Sequence, residues 1–378
     1  MIGPARHLQM RGHTVAFHAG GDISSQLSRV GISNLAPASE SDVDSSSHDR
    51  NRGACFARQV RDPQWLRGWI RALLVDAAPA QIGPIREAIQ RFRPDAVVTD
   101  PMIYAAAIAA HLEGVPWSAL SNSLNPVLDD SMESDLLETV RWLSPARDAL
   151  FQRHGMKLRF SGCDMISPQL TIAFTTREFV GREAPGVHLV GPSIPPGARG
   201  DEEEFPWELL NPDLPLVYLS FGSQIYHQPE IFRLVIEATA GMGVQLLIVA
   251  DALNGSPLLG DLPGHVLTCH YAPQLAVLAK ARAFITHGGA NSVMEAMHFG
   301  APVLISPVCN DQFHQAHFIR RNGAGRVLDL GSATAGECRA ALIDLLNNEE
   351  IRRAAAPIYQ SYQRDGAAAA ADLIERHA

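Results

Sequence analysis

The apolar positions of the chain fall into two alternating patterns. "ARAFIT" (281–286) and "PVLIS" (302–306) are short, continuous apolar runs bounded by turn residues, and "ANSVMEAMHFG" (290–300) between them has helical periodicity. The same alternation recurs through "LVYLSF" (216–221), "VQLLIVA" (244–250) and "HVLTCH" (265–270), which predicts a parallel sheet with helical crossovers. Earlier, "HTVAFHA" (13–19), "PDAVVTD" (94–100) and "VPWSALS" (115–121) read as strands, and "PAQIGPIREAIQRF" (79–92) and "YAAAIAAHLEG" (104–114) as helices. Between the two halves, "GPSIPPGARGDEEEFPWELLNPDLP" (191–215) is rich in Pro, Gly and acidic residues and lacks periodicity, as an interdomain linker does. The Ser-rich stretch 38–53 reads as a loop.

At 378 residues, 46% hydrophobic and 19% charged, the chain is globular and long enough for two domains. A net charge of −9 without any Lys/Arg block argues against nucleic acid as a partner. Cys55, Cys163, Cys269, Cys309 and Cys338 are scattered without CxxC spacing, which fits a reducing, cytoplasmic setting. No apolar run is long enough to predict a transmembrane segment.

Candidate chemistry collects at strand ends in the second half. In "THGGANSVMEAMHFGAPVLISP" (286–307), His287, Gly288, Gly289, Asn291, Ser292 and Glu295 occupy a strand-to-helix turn. A helix N-terminus there offers unpaired N–H groups and a positive dipole end worth roughly 0.3–1 kcal/mol to an anion, so a phosphate ligand is expected. His287 adds a donor or a positive charge, and Glu295 is placed to accept from sugar hydroxyls. The alternative is a turn capped by Asn291 or Ser292. "SFGS" brings Gly222 and Ser223, "YAPQ" brings Tyr271 and Gln274, and "CNDQFHQAHF" brings Asp311 and Gln312, all at the same predicted sheet edge. Asp42 and Asp44 form a DxD but lie in the Ser-rich stretch, and His314 and His317 sit beside Asp311. Loop chemistry is the stronger reading for the first pair and helix-surface or pocket-lining positions for the second.

"YAPQ", "THGGANSVMEA", "GAPVLISP" and "NDQ", preceded by "VGP" (190–192) and "VYLSFGS", resemble the family 1 glycosyltransferases, nucleotide-sugar-dependent enzymes with the GT-B fold. The likeness is to bacterial macrolide, natural-product and carotenoid glucosyltransferases, and it runs from "QMRGHTVAF" (9–17) to "GAAAAADLIE" (366–375). It implies an α/β chain of two Rossmann-like domains whose parallel sheets face a central cleft. The expected acceptor domain is 1–195, the linker 196–215, the donor domain 216–356, and a final helix in 357–378 packs back on the first domain. By the same resemblance Gln274 contacts the uracil, Glu295 binds the ribose, and His287, Asn291, Ser292 and Ser223 hold the diphosphate. Asp311 and Gln312 contact the sugar, a pair common among enzymes using UDP-glucose. Two departures are Tyr271, where plant relatives carry Trp, and Gln315, where many relatives carry Asn.

The implied reaction is inverting, metal-independent transfer of a hexose from a UDP-sugar to a hydroxyl of a small apolar or aromatic acceptor, with no cofactor beyond the co-substrate. An epimerase of the same fold and a non-catalytic nucleotide-sugar-binding regulator are the rival readings. Trp65, Trp69, Trp142, Met132, Met156 and Phe160 lie where acceptor loops would fall. Asp100 matches the Asp that in the family holds a catalytic His. Aligning "ARHLQMRGH" (5–13) on the family pattern places that His, and the first strand, ahead of Met1. The working protein is therefore expected to be longer, and turnover by the chain as written slow for want of the base. His7, His13 and His18 fall in the first helix, the turn after it and the next strand, at the wrong spacing to replace that base.

Overall fold

The computed structural model describes residues 1–19, 23–35, 50–128, 132–195, 204–223, 225, 227–250 and 253–378. Asp42, Asp44, most of the Ser-rich stretch and the centre of the linker lie outside them. The chain forms two compact units, one of Met1–Ser45, Pro63–Asp201 and Arg364–Ala378, the other of Ser46–Asp62 and Glu202–Gln363.

In the first unit, β1 (Ala16–Phe17) pairs parallel with β2 (Ser33–Asn34). A separate parallel sheet has the order β3 (Val97–Thr99), β4 (Trp117–Ser121), β7 (Leu170–Ala173), β8 (His188–Leu189). Between β4 and β7 in sequence, β5 (Arg159–Ser161) and β6 (Asp164–Ile166) form an antiparallel hairpin. Gly162, at φ 54°, opens its two-residue turn. β1 and β3 belong to different sheets. The strand "HTVAFHA" shrinks to two residues. β7, β8 and the hairpin lie outside the runs that the sequence pattern predicts as strands.

The second unit is built on one six-stranded parallel sheet of order β11 (Val266–Cys269), β10 (Gln245–Val249), β9 (Leu216–Ser220), β12 (Ala281–Thr286), β13 (Val303–Ile305), β14 (Gly325–Val327). Helices cover both of its faces, which is why β9 and β13 are buried at every position and read as unbroken apolar runs. Val217, Leu219, Ile285 and Leu304 are wholly buried in a core completed by Phe232, Val235, Leu342 and Leu345 from the helices Pro229–Thr239 and Ala335–Asn347. The latter begins with a capping box between Thr334 and Glu337.

The division departs from the sequence reading at two points. Residues 46–62 join the second unit, where Phe56 packs on the core just described. At the other end, the helix Glu349–Ser361 remains with the second unit, and only Gly366–His377 joins the first. Gly366 fixes that docking. A Cβ there would lie 2.6 Å from Gly191 C, Gly191 O and Pro192 O, so only glycine lets the helix start sit against the "VGP" segment. Arg11 then pairs with Asp372 at 2.5 Å and Glu375 at 2.8 Å, and His13 with Glu375 at 2.8 Å. His7 faces Asp365 at 3.3 Å, so two of the three N-terminal histidines serve this docking.

Candidate functional site

The strand order of the second unit, third-second-first-fourth-fifth-sixth in its own sequence, reverses direction between β9 and β12. Successive helices leave those two strands toward opposite faces, and the carboxyl ends open a crevice, the usual ligand position of such sheets. The residues closing that point are Phe221–Gly222–Ser223 after β9 and His287–Gly288–Gly289 after β12.

These residues are shaped around one imidazole. A Cβ on Gly222 (φ 67°) would lie 2.9 Å from His287 Cε1, and one on Gly289 would lie 2.6 Å from His287 Nε2. Both positions must lack a side chain for the ring to stand where it does. Gly288, at φ 88°, has Ile305 Cγ2 2.7 Å from where its Cβ would be. Phe221 backs the ring with a centroid separation of 6.1 Å. The Nδ1 of His287 is buried without a hydrogen-bond partner. Burial lowers its pKa to about 4, against a smaller upward pull from the Ser220 backbone. Of the two readings of His287, donor or positive charge, the structure supports the donor: the imidazole is neutral at pH 7.

The helix Ala290–Phe299 starts at Gly289 as N-cap with no side-chain cap. The capping by Asn291 or Ser292 considered from the sequence is therefore not made. Asn291 is exposed and Ser292 half-buried. The first-turn N–H groups have no side-chain acceptor and face the turn occupied by His287. Ser223 is exposed at the end of β9.

Glu295, one turn on, is buried and accepts from Gln274 Nε2 at 2.6 Å. Gln274 Oε1 accepts from the Tyr218 hydroxyl at 3.3 Å. Thus the residues assigned to base and ribose form a single hydrogen-bonded pair, backed by a tyrosine inside β9 that the sequence did not single out.

After β13, Asp311 and Gln312 begin the helix Gln312–Asn322. Burial raises the Asp311 carboxyl to about 6. Gln312 is buried, and its Oε1 accepts from Val308 N at 2.8 Å and Cys309 N at 3.0 Å. Its amide oxygen is thus engaged by the preceding loop. Asn310, held at φ 54° with a buried, unpartnered Oδ1, is a polar group of this loop that the sequence reading missed. His314 is buried, with its pKa lowered to about 4 by burial and by His317. Among the described residues no cluster of three or more metal-ligating side chains occurs.

Asp100 belongs to the other unit. It follows β3, and its Oδ1 accepts from Met102 N at 2.9 Å. Burial raises its pKa. At the same carboxyl edge lies a group that sequence reasoning missed: Asp164, fully buried in β6. Its only sequence signal was a carboxylate inside the apolar stretch "CDMI". The Ser121 hydroxyl, at the end of β4, donates to Asp164 Oδ2. Asn125 Nδ2 donates to Oδ1 at 2.8 Å. Trp65 and Trp69 stack at 6.1 Å, Met156 is buried, and Phe160 packs edge-on to Tyr104 and Phe151.

Comparison with known proteins agrees with this geometry. Residues 204–359 match the family described as UDP-glucoronosyl and UDP-glucosyl transferase. The UDP-glucosyltransferase YdhE of Bacillus subtilis is 31% identical over 198 residues, which are 52% of this chain and 49% of that protein, so the match spans about half of its length. Demethyllactenocin mycarosyltransferase of Streptomyces fradiae is 26% identical over 99% of this chain and 82% of its own. Among solved structures, the glycotransferase of kitacinnamycin superposes with a TM-score of 0.74 at 21% identity, covering 99% of this chain and 94% of that one. Among the described residues no helix is long and apolar enough to cross a membrane. Residues 204–359 thus match the UDP-glucoronosyl and UDP-glucosyl transferase family, and the chain has the GT-B fold of the glycosyltransferase structures it resembles.

Proposed function

We propose that the chain transfers a hexose, with inversion and without a metal, from a UDP-sugar to a hydroxyl of a small apolar or aromatic acceptor. The observation that carries this reading is the neutral His287 imidazole, held by Gly222 and Gly289 beside an uncapped helix N-terminus at the switch point of the second sheet. There the diphosphate accepts from the first-turn N–H groups and from the imidazole, and the Gln274–Glu295 pair meets the nucleoside. In the transition state the bond from the anomeric carbon to the diphosphate oxygen breaks and negative charge grows on the leaving group. Donors already fixed toward it stabilise that state more than the bound substrate. Asp311 lies toward the sugar, and Asp100 serves the acceptor side. Glucose as donor is supported by the name of YdhE and a natural-product acceptor by that of the mycarosyltransferase, whose sugar also shows that relatives differ in donor.

The test is UDP release by the purified full chain from UDP-glucose, with and without 4-methylumbelliferone or a macrolide aglycone, in the presence of EDTA. Acceptor-dependent release supports the transferase. Sugar isomerisation without acceptor supports an epimerase, UDP binding without either supports a regulator, and a strict Mg²⁺ or Mn²⁺ requirement refutes the metal-free reaction.

A further inference from the structure

The first unit carries a polar cluster that the reading above leaves without a role. Asp164 is fully buried on the β5–β6 hairpin. Besides Ser121 and Asn125, its Oδ2 accepts from the Ser123 hydroxyl at 3.3 Å. Ser121 and Asn125 are themselves buried, at 1% and 2% exposure, whereas Ser123 is half-buried and so links the carboxyl to the surface. Ser123 Oγ also accepts from Asn125 N at 3.1 Å and lies 3.1 Å from Ser121 Oγ, which fixes its position. The cluster stands just past the carboxyl end of β4, beside the strand that ends at Asp100.

Three hydrogen-bond donors on a carboxylate ordinarily hold its pKa down. Here complete burial outweighs them and, with the Asp100 charge, raises Asp164 to about 7. The other charged or titratable groups packed around it are Tyr104, whose hydroxyl donates to Cys163 O at 2.8 Å, Cys163 itself, and Arg147, whose guanidinium covers the Phe160 ring at 3.7 Å. The amino group of Met1 acts on Asp100 rather than on Asp164.

Resting on the transferase reading, we propose that the Ser123 hydroxyl and Asp164 form the relay that removes the proton of the acceptor hydroxyl. Ser123 Oγ takes that proton and passes its own to Asp164 Oδ2. The acceptor oxygen bonds the anomeric carbon, and the diphosphate leaves with the electron pair of the broken bond. Ser123 touches the acceptor, while Asp164 acts through it as a positioning and proton-storing residue. Turnover therefore requires ionised Asp164 and rises as pH increases through about 7.

The experiment compares the full wild-type chain with Ser123→Ala, Asp164→Asn and Asp100→Asn, using UDP-glucose and 4-methylumbelliferone. Kinetics are read as pH–rate profiles, with UDP binding measured by calorimetry and the Asp carboxyl carbons titrated by ¹³C NMR. The expected result is a loss of about 100-fold in kcat for Ser123→Ala and Asp164→Asn, with the limb near pH 7 abolished and UDP affinity unchanged. Wild-type profiles in both variants overturn the relay. If Asp164→Asn does not fold, Ser123→Ala decides. A wild-type chain that releases no UDP with any acceptor defeats the transferase reading instead. The NMR titration is read independently of turnover: a resonance lost in Asp164→Asn, with a midpoint near 7 that moves down in Asp100→Asn, supports the proton-storing carboxyl that the relay needs, and a midpoint below about 5 ends the relay.

Discussion

Gly289→Ala isolates the placement of the imidazole from everything else in the site. At φ −59° and ψ 141° the backbone of Gly289 suits alanine, so the substitution adds no backbone strain. Its effect is the new Cβ, 2.6 Å from His287 Nε2 and 3.0 Å from Cε1. The ring must swing away from Gly289. Holding a side chain off its preferred rotamer costs about 0.5–1.5 kcal/mol, so the fold survives with a modest drop in melting temperature. The displaced donor is lost to the diphosphate, and losing one preorganised donor lowers kcat by about 100-fold, near 2.7 kcal/mol of transition-state stabilisation. His287→Ala should cost the same, and the double variant no more than either single one, since both remove one interaction. The assay is acceptor-dependent UDP release under saturating substrates, with circular dichroism melts alongside. Additive losses in the double variant, or unchanged kcat in Gly289→Ala, would refute the reasoning.

Gln312→Ala should lower stability by about 1–3 kcal/mol, because Val308 N and Cys309 N lose their acceptor, and thermal melting reads this directly. A loss of donor-sugar affinity with an unchanged melting temperature would assign Gln312 to the sugar instead. Glu295→Ala should weaken UDP more than pyrophosphate in calorimetry, since Glu295 and Gln274 act together on the nucleoside. Stability should also respond to pH through two groups of opposite sign. Unfolded His287 binds a proton below 6.5 that the folded ring refuses until about 4, so wild type gains on His287→Ala as pH rises through that window. Folded Asp311 keeps its proton up to about 6 while the unfolded carboxyl loses it above 3.8, so wild type falls behind Asp311→Asn over that range. Melts of the three proteins between these values check both slopes.

The second sheet was legible because strands covered on both faces leave unbroken apolar runs, and each observed strand falls within a residue or two of the run that predicted it. The exception is β14, whose "GRV" is too short and too polar to stand out. Residue types at the switch point were legible for the same reason, since the turns could be placed once the strands were. Side-chain direction was not. Nothing in "NDQ" tells that Gln312 turns back on its own loop, and nothing in "YAPQ" that Gln274 meets Glu295 and Tyr218. In the first unit the strands run two to five residues, and the pairing of β7 with β4 spans about fifty positions of sequence, too far for local pattern to reveal. Asp164 was hidden by its setting, because a carboxyl that belongs to a buried network looks, in sequence, like an interruption of a strand.

The neutrality of His287 has a consequence for how the proposed reaction divides its binding energy. A diphosphate is already anionic before transfer, so an imidazolium would attract bound substrate and transition state nearly alike, lowering KM without raising kcat. A neutral N–H whose direction is fixed by two missing side chains adds little to ground-state attraction and needs no reorganisation as charge grows on the leaving oxygen. The two cases separate by pH. Were the ring to take up a proton on binding UDP, affinity would rise as pH falls below the pKa of the bound ring, because a nearby anion favours the charged form. With burial dominating, calorimetry should instead give the same UDP affinity for wild type and His287→Gln relative to one another at every pH from about 6 to 8. An affinity ratio that climbs tenfold toward the acid end would show that the ring binds as a cation, and that the glycines hold it for ground-state attraction.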